Sequence, residues 1–256
     1  MTAPAPSPGG GEAAPSPSPL RRAVFGLGAA FVCLTLLGLG TWQVQRRAWK
    51  LDLIARTEAR VHAPASPAPG PAEWGRIGPG DAYRHVRLGG RFLHDRETLV
   101  QAVTEDGAGF WVLTPLRRED GSLVLVNRGF VPGDRKNPAT REAGQVPGPV
   151  EVTGLLRLTE PGGAFLRTND PAGGRWYSRD VAAIAAARGL SDVAPYFVDA
   201  DAAPNPGGLP TGGLTVVAFP NSHLVYALTW YGLALMLAGF GLHRTFRRRG
   251  TRPSGE

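Results

Sequence analysis

The sequence predicts a membrane protein, a two-helix transmembrane hairpin carrying a mainly antiparallel β (α+β) domain on the outer side of the bilayer. Three observations predict it. Residues 23–45 and 224–242 carry no charged side chain, and each run reaches the roughly 20 residues that cross a hydrocarbon layer. The chain between them is too polar to span and alternates apolar and polar residues in short runs, the period of half-buried strands. The excess of positive charge, a net +7, gathers at the outer flanks of the apolar runs: Arg21 and Arg22 before the first, Arg244, Arg247, Arg248, Arg249 and Arg252 after the second. Positive flanks stay in the cytoplasm, so both termini are cytoplasmic and the middle is translocated. Arg46, Arg47 and Lys50, just past the first run, pull the other way, but long translocated domains obey the rule weakly. The same distribution sets aside the nucleic-acid reading that a basic chain invites and makes the lipid bilayer the first partner.

Residues 1–22 are rich in proline and glycine and read as a disordered cytoplasmic tail. Transmembrane helix 1 covers 23–45 and is too long for a cleaved signal peptide. Trp42, Trp49 and Leu53 share a helical face, so the helix continues past the membrane, with the tryptophans at the headgroups. The β-rich domain is assigned to 46–222. Residues 63–72, rich in proline and alanine, read as a linker into it. Strands are predicted over 83–88, 97–103, 110–116, 123–127, 150–157 and 196–199, with Glu119-Asp120-Gly121 as a hairpin turn. A short helix near 179–188 takes Ser178 or Asp180 as its cap and Gly189 as its stop. Residues 214–219 lead back to transmembrane helix 2, 223–243, followed by a basic cytoplasmic tail, 244–256. Gly26 and Ala30 on one span, and Ala234 and Ala238 on the other, are the small residues expected to let the helices approach.

The only cysteine, Cys33, lies inside the first span, which rules out an internal disulfide or a thiolate cluster. No hydrolase elbow, phosphate loop, zinc-histidine helix or dinucleotide fingerprint occurs, and no carboxylate pair stands out as acid and base. The chain does not read as an enzyme. His223 opens the second apolar run, and a membrane-edge imidazole marks a functional site by default. It is a haem ligand, a proton carrier or a polar helix anchor. Tyr226 and Trp230, three and seven residues on, share its helical face. In the segment Asn127-Arg128-Gly129-Phe130-Val131-Pro132, Gly129 permits a backbone geometry that other residues resist. Arg128 is a strand-end ion-pair partner, or meets an acidic group on a partner or a haem propionate.

These segments resemble the surfeit locus protein 1 family, called Shy in yeast. The likeness rests on Gly38-Leu-Gly-Thr-Trp-Gln-Val-Gln-Arg-Arg-Ala-Trp-Lys50, Val126-Asn-Arg-Gly-Phe-Val-Pro132, Leu158-Thr-Glu160, Trp176-Tyr-Ser-Arg-Asp180, Phe197-Val-Asp-Ala200 and His223-Leu-Val-Tyr-Ala-Leu-Thr-Trp-Tyr-Gly-Leu233. The resemblance implies an assembly factor for haem-copper cytochrome c oxidase, binding haem a at the outer membrane face and assisting its insertion into subunit I, together with haem a synthesis or assembly proteins. It implies that His223 contacts the haem iron; on that reading Tyr226 and Trp230, on the same helical face, line the ring, and Arg46 or Arg128 pairs with the propionates. Trp42, Gln43, Gly129 and Tyr231 are carried over as architectural or partner-facing. The family often has Asn-Asn before this histidine, where this chain has Asn221-Ser222. The alternative is a cofactor-free membrane-anchored scaffold for oxidase assembly intermediates. Lack of an arginine-rich targeting pattern leads to the expectation of a bacterial inner membrane with the central domain in the periplasm.

Overall fold

The computed structural model describes residues 18–164, 166–215 and 219–250, with side chains to Arg247. Most of the expected N-terminal tail, the end of the basic tail and part of the 214–219 segment lie outside these residues. Two compact units are present: one holds the first helix as far as Asp52 together with the last helix, the other is Leu53–Phe219.

Helix α1 (Pro19–Val61) starts inside the expected tail and runs well past residue 45. The last helix, α3 (His223–Gly250), opens on His223 itself. Both are long and apolar enough to cross a membrane. In the helical unit the two run antiparallel, since contacts pair Gln43 with His223 and Cys33 with Ala234. The covered positions of α1 are Cys33, Leu36, Gly40, Gln43, Arg47 and Lys50; those of α3 include His223, Ala227, Trp230, Ala234 and Leu237. Both series step by three and four residues, the spacing of a two-helix seam. Close approach comes at Gly40, where an added Cβ would stand 2.7 Å from the Tyr231 ring, and the Tyr231 hydroxyl lies 3.1 Å from Thr41 Oγ1. Gly26, Ala30 and Ala238, expected in the seam, are exposed. Ala234 is buried as expected. The register set at Gly40 and Tyr231 turns the others outward.

The second unit is built on strands β1 (Ser66–Pro67), β2 (His85–Phe92), β3 (Thr98–Thr104), β4 (Gly107–Arg117), β5 (Leu123–Pro132), β6 (Pro149–Leu158), β7 (Gly163–Ala164), β8 (Arg167–Thr168) and β9 (Val193–Ala200), with one α-helix, α2 (Val181–Ala187). Strands β7 and β8 form a separate small ribbon. The main sheet runs β1-β2-β6-β9-β5-β4-β3, and β2 also pairs with β4 through Arg91–Arg117 and Phe92–Leu116. That last pairing closes β2-β6-β9-β5-β4 into a five-stranded ring, which removes most of the free sheet edges. Pairing is antiparallel except β1–β2 and β5–β9.

All five ring strands send side chains into one interior cluster, among them Val86, Leu116, Val124, Leu156 and Tyr196. A second cluster, Val100, Leu113, Leu125, Trp176, Ile184 and Phe197, packs α2 against the outside. Strand β5 serves both: Val124 and Val126 point inward and Leu125 outward, so Leu123–Val131 are all buried. A strand covered on two faces reads as a continuous apolar run. At the β4–β5 turn Gly121 has φ +83° and Asp120 accepts from Ser122 N at 2.9 Å. Asp180 caps α2 by accepting from Ala183 N at 3.1 Å, and Gly189 leaves it at φ +62°.

One expectation needs correcting. Residues 63–72 are not a free linker, because Ser66–Pro67 pairs with β2 and Ala68 is buried. Proline lacks a donor but keeps its acceptor. The Pro69 carbonyl takes bonds from Tyr196 Oη (2.7 Å), Arg118 Nη1 (2.9 Å) and Trp74 Nε1 (3.3 Å).

Candidate functional site

His223 is half-buried at the first position of α3, and its Nδ1 lies 2.7 Å from Gln43 Oε1. Among the described residues its Nε2 has no hydrogen-bond partner. Around it, Lys50 Nζ bonds the Pro220 carbonyl, and Asn221 Oδ1 is buried with no partner. Trp230 is half-buried, and Tyr226 is 52 % exposed beside the seam. Trp42 is exposed. Arg46 is exposed too, with its guanidinium 4.0 Å from the Trp49 ring centroid, a contact that cation and aromatic quadrupole favour. The structure therefore brings Gln43 to His223 and Tyr231 to Gly40 and Thr41, all within the helical unit.

Arg128 and Gly129 belong to the barrel unit. Arg128 is enclosed, and one of its guanidinium nitrogens, Nη1, is buried without a hydrogen-bond partner among the described residues. It is 3 % exposed, donates to the Gly144 carbonyl and to Asn205 Oδ1 (3.0 Å), and lies 4.8 Å from the Phe92 ring. Burial pushes it down to about 10, so it remains charged at neutral pH. Its place follows from β5, whose residues are covered on both faces. Nearby, Arg141 and Glu97 form a bidentate pair with side chains 1 % and 8 % exposed.

A larger charged cluster escaped the sequence reading. Asp199 on β9 accepts from Asn127 Nδ2 (2.8 Å), Arg157 Nη1 (2.7 Å), Arg179 Nη1 (3.1 Å) and Thr215 Oγ1 (2.9 Å). Glu160 holds the far side of Arg179. Every charge here has an opposite partner, which describes a structural knot rather than a reactive group. Most of its members come from separate strands and loops, and only Arg157 and Glu160 are near in sequence.

His85, the first residue of β2, is clamped between two acceptors: Nδ1 is 2.8 Å from the Ala63 carbonyl and Nε2 is 2.8 Å from Asp201 Oδ2. Only a doubly protonated ring satisfies both, and the Asp201 hydrogen bond, partly opposed by burial, raises its pKa above the ordinary 6.5. The folded state then holds this proton more tightly than the unfolded chain. The stabilisation is fully present below pH 6.5 and is lost as pH rises through the folded value. Urea unfolding of the detergent-solubilised protein at pH 5.5 and pH 8 checks this: wild type should lose more stability on raising the pH than His85→Gln. Equal losses would show that the clamp does not titrate.

Two long apolar helices joined through a closed β domain, with a paired imidazole opening the second helix, define the class as a chain with two candidate spans and an interposed barrel. The sequence profile of the SURF1 family matches residues 30–235. "Surfeit locus protein 1" of Rattus norvegicus is 41% identical over 235 residues, covering 85% of this chain and 74% of the relative. That of Homo sapiens is 42% identical over 219 residues, 78% and 71%. "SURF1-like protein" of Drosophila melanogaster is 34% identical over 219 residues, 78% and 70%. The chain belongs to the SURF1 family.

Proposed function

We propose that this chain is an assembly factor for haem-copper cytochrome c oxidase, holding haem a at the outer membrane face and assisting its insertion into subunit I. Membership of the family supports the assembly role. The observation that carries the haem assignment is His223: one ring nitrogen is held by Gln43 and the other has no protein partner among the described residues. An imidazole anchored through one nitrogen and open at the other is the usual form of a protein ligand to iron. The donor set therefore fits haem.

His223 would bind the iron, Tyr226 and Trp230 would cover the ring, and the exposed Arg46 would pair with a propionate. Haem supplies the iron centre that the oxidase needs, and the chain supplies orientation and shielding. Arg128, enclosed in the barrel, is left out of this set. We place α1 and α3 across the membrane, with the arginine flanks in the cytoplasm and the barrel in the periplasm. The exposed aromatic and aliphatic side chains on both helices support the spanning placement.

Co-expression with the enzymes of haem a synthesis, followed by pyridine-haemochrome analysis of the purified protein, tests the reading. Wild type should carry haem, and His223→Ala should lose most of it. Haem content unchanged in that variant would remove His223 as the ligand. Oxidase maturation that proceeds normally with His223→Ala would favour a cofactor-free scaffold.

A further inference from the structure

We infer that Gln43 is a positioning residue which fixes the tautomer of His223 and so leaves Nε2 as the nitrogen that meets a metal. A neutral imidazole has one N–H and one lone pair. Gln43 Oε1, 2.7 Å from Nδ1, can only accept, so Nδ1 carries the proton and Nε2 carries the lone pair. Nothing among the described residues competes for that lone pair.

The helix seam makes the arrangement rigid. Gln43 lies one step along the three-four series from Gly40, and His223 one step from Ala227. Gly40 and Ala227 are buried and small, which brings the two backbones close enough for a glutamine to span the gap. The Thr41–Tyr231 hydrogen bond is a second tie between the same two helices. A site mounted on packed helices holds its geometry better than one on a loop. An exposed imidazole would choose its own tautomer, and free histidine prefers the proton on Nε2, the form that cannot bind a metal through that atom. A partner that accepts at Nδ1 reverses this preference before any cofactor arrives. A neutral amide does so without adding a charge next to the iron, which sets it apart from a carboxylate.

This inference rests on the haem-binding reading for its purpose but not for its first test. In the haem-free, detergent-solubilised full chain with ¹⁵N-labelled histidine, the His223 ring should show Nδ1 protonated and Nε2 unprotonated. Gln43→Leu should shift the population toward the Nε2-protonated form, and Gln43→Glu, which keeps an acceptor, should restore the wild-type pattern. Titration with haemin should then show wild-type and Gln43→Glu binding, with Gln43→Leu about 10–100-fold weaker, the usual effect of losing a ligand's hydrogen-bond partner. A proton on Nε2 in the wild type, or a tautomer unmoved by Gln43→Leu, overturns the inference whatever haemin does. The predicted tautomers together with no haemin binding by wild type would sink the haem reading and leave the tautomer assignment standing.

Discussion

Replacing Asp199 by alanine is expected to destabilise the barrel by roughly 3–5 kcal/mol, the cost of removing one member of a buried ion pair and leaving its partner charged. The carboxylate is 2 % exposed and satisfies four donors from four separate segments: Asn127 on β5, Arg157 on β6, Arg179 before α2 and Thr215 after β9. Glu160 continues to hold Arg179 and lies 3.5 Å from Arg157, so the guanidiniums are not wholly abandoned, which argues for the lower half of that range. Both arginines also stack on the Phe197 ring, and that contact survives the change. Asp199→Asn keeps the shape and some of the hydrogen bonds, so it should fall between alanine and wild type. Urea unfolding followed by tryptophan fluorescence reads the result, since Trp176 is buried in the outer cluster. A cost under about 1 kcal/mol for Asp199→Ala would mean that the knot is no better than a surface ion pair.

Local signals in the sequence located what local physics decides. The Glu119-Asp120-Gly121 turn between β4 and β5, the Asp180 cap and Gly189 stop of α2, and the two uncharged runs were all legible because each depends on neighbours in the chain. The ring closure was not. It rests on two residue pairs, Arg91–Arg117 and Phe92–Leu116, and no local pattern marks a pairing between strands whose main partners lie elsewhere. Residues 63–72 have a linker's composition, yet their carbonyls and the small Ala68 fit against the barrel edge. The enclosure of Arg128 was not legible, because a charged residue at the end of an apolar run gives no sign of what covers it. The covering of β5 on both faces, visible only in three dimensions, encloses it. His223 was legible as an anomaly. Its partner was not, since Gln43 joins it only through the antiparallel register of the helices. The three-four seam is hard to see in helices that are apolar all round, where outward positions are as hydrophobic as inward ones.

Gly129→Ala is expected to cost about 3 kcal/mol or more, from two sources that can be separated. Gly129 has φ +126°, a region that costs a residue with a side chain of order 1–3 kcal/mol. A Cβ there would also overlap the carbonyl of Thr211 and meet the Gly212 nitrogen at 2.6 Å. Backbone must move to relieve that, at roughly a further 1–3 kcal/mol. The movement has a consequence, because Phe130 and Thr211 exchange two backbone hydrogen bonds of 2.9 Å each and tie the segment after β9 to β5. Gly121 separates the two terms. It has φ +83° at the β4–β5 turn, but an added Cβ would meet open space. Gly121→Ala should therefore show conformational strain alone, about 1–2 kcal/mol, and Gly129→Ala, which adds the overlap with Thr211 to its own backbone strain, should exceed it. Equal costs in urea unfolding would mean that the Thr211 segment yields freely, and that its bridge to Phe130 contributes little to stability.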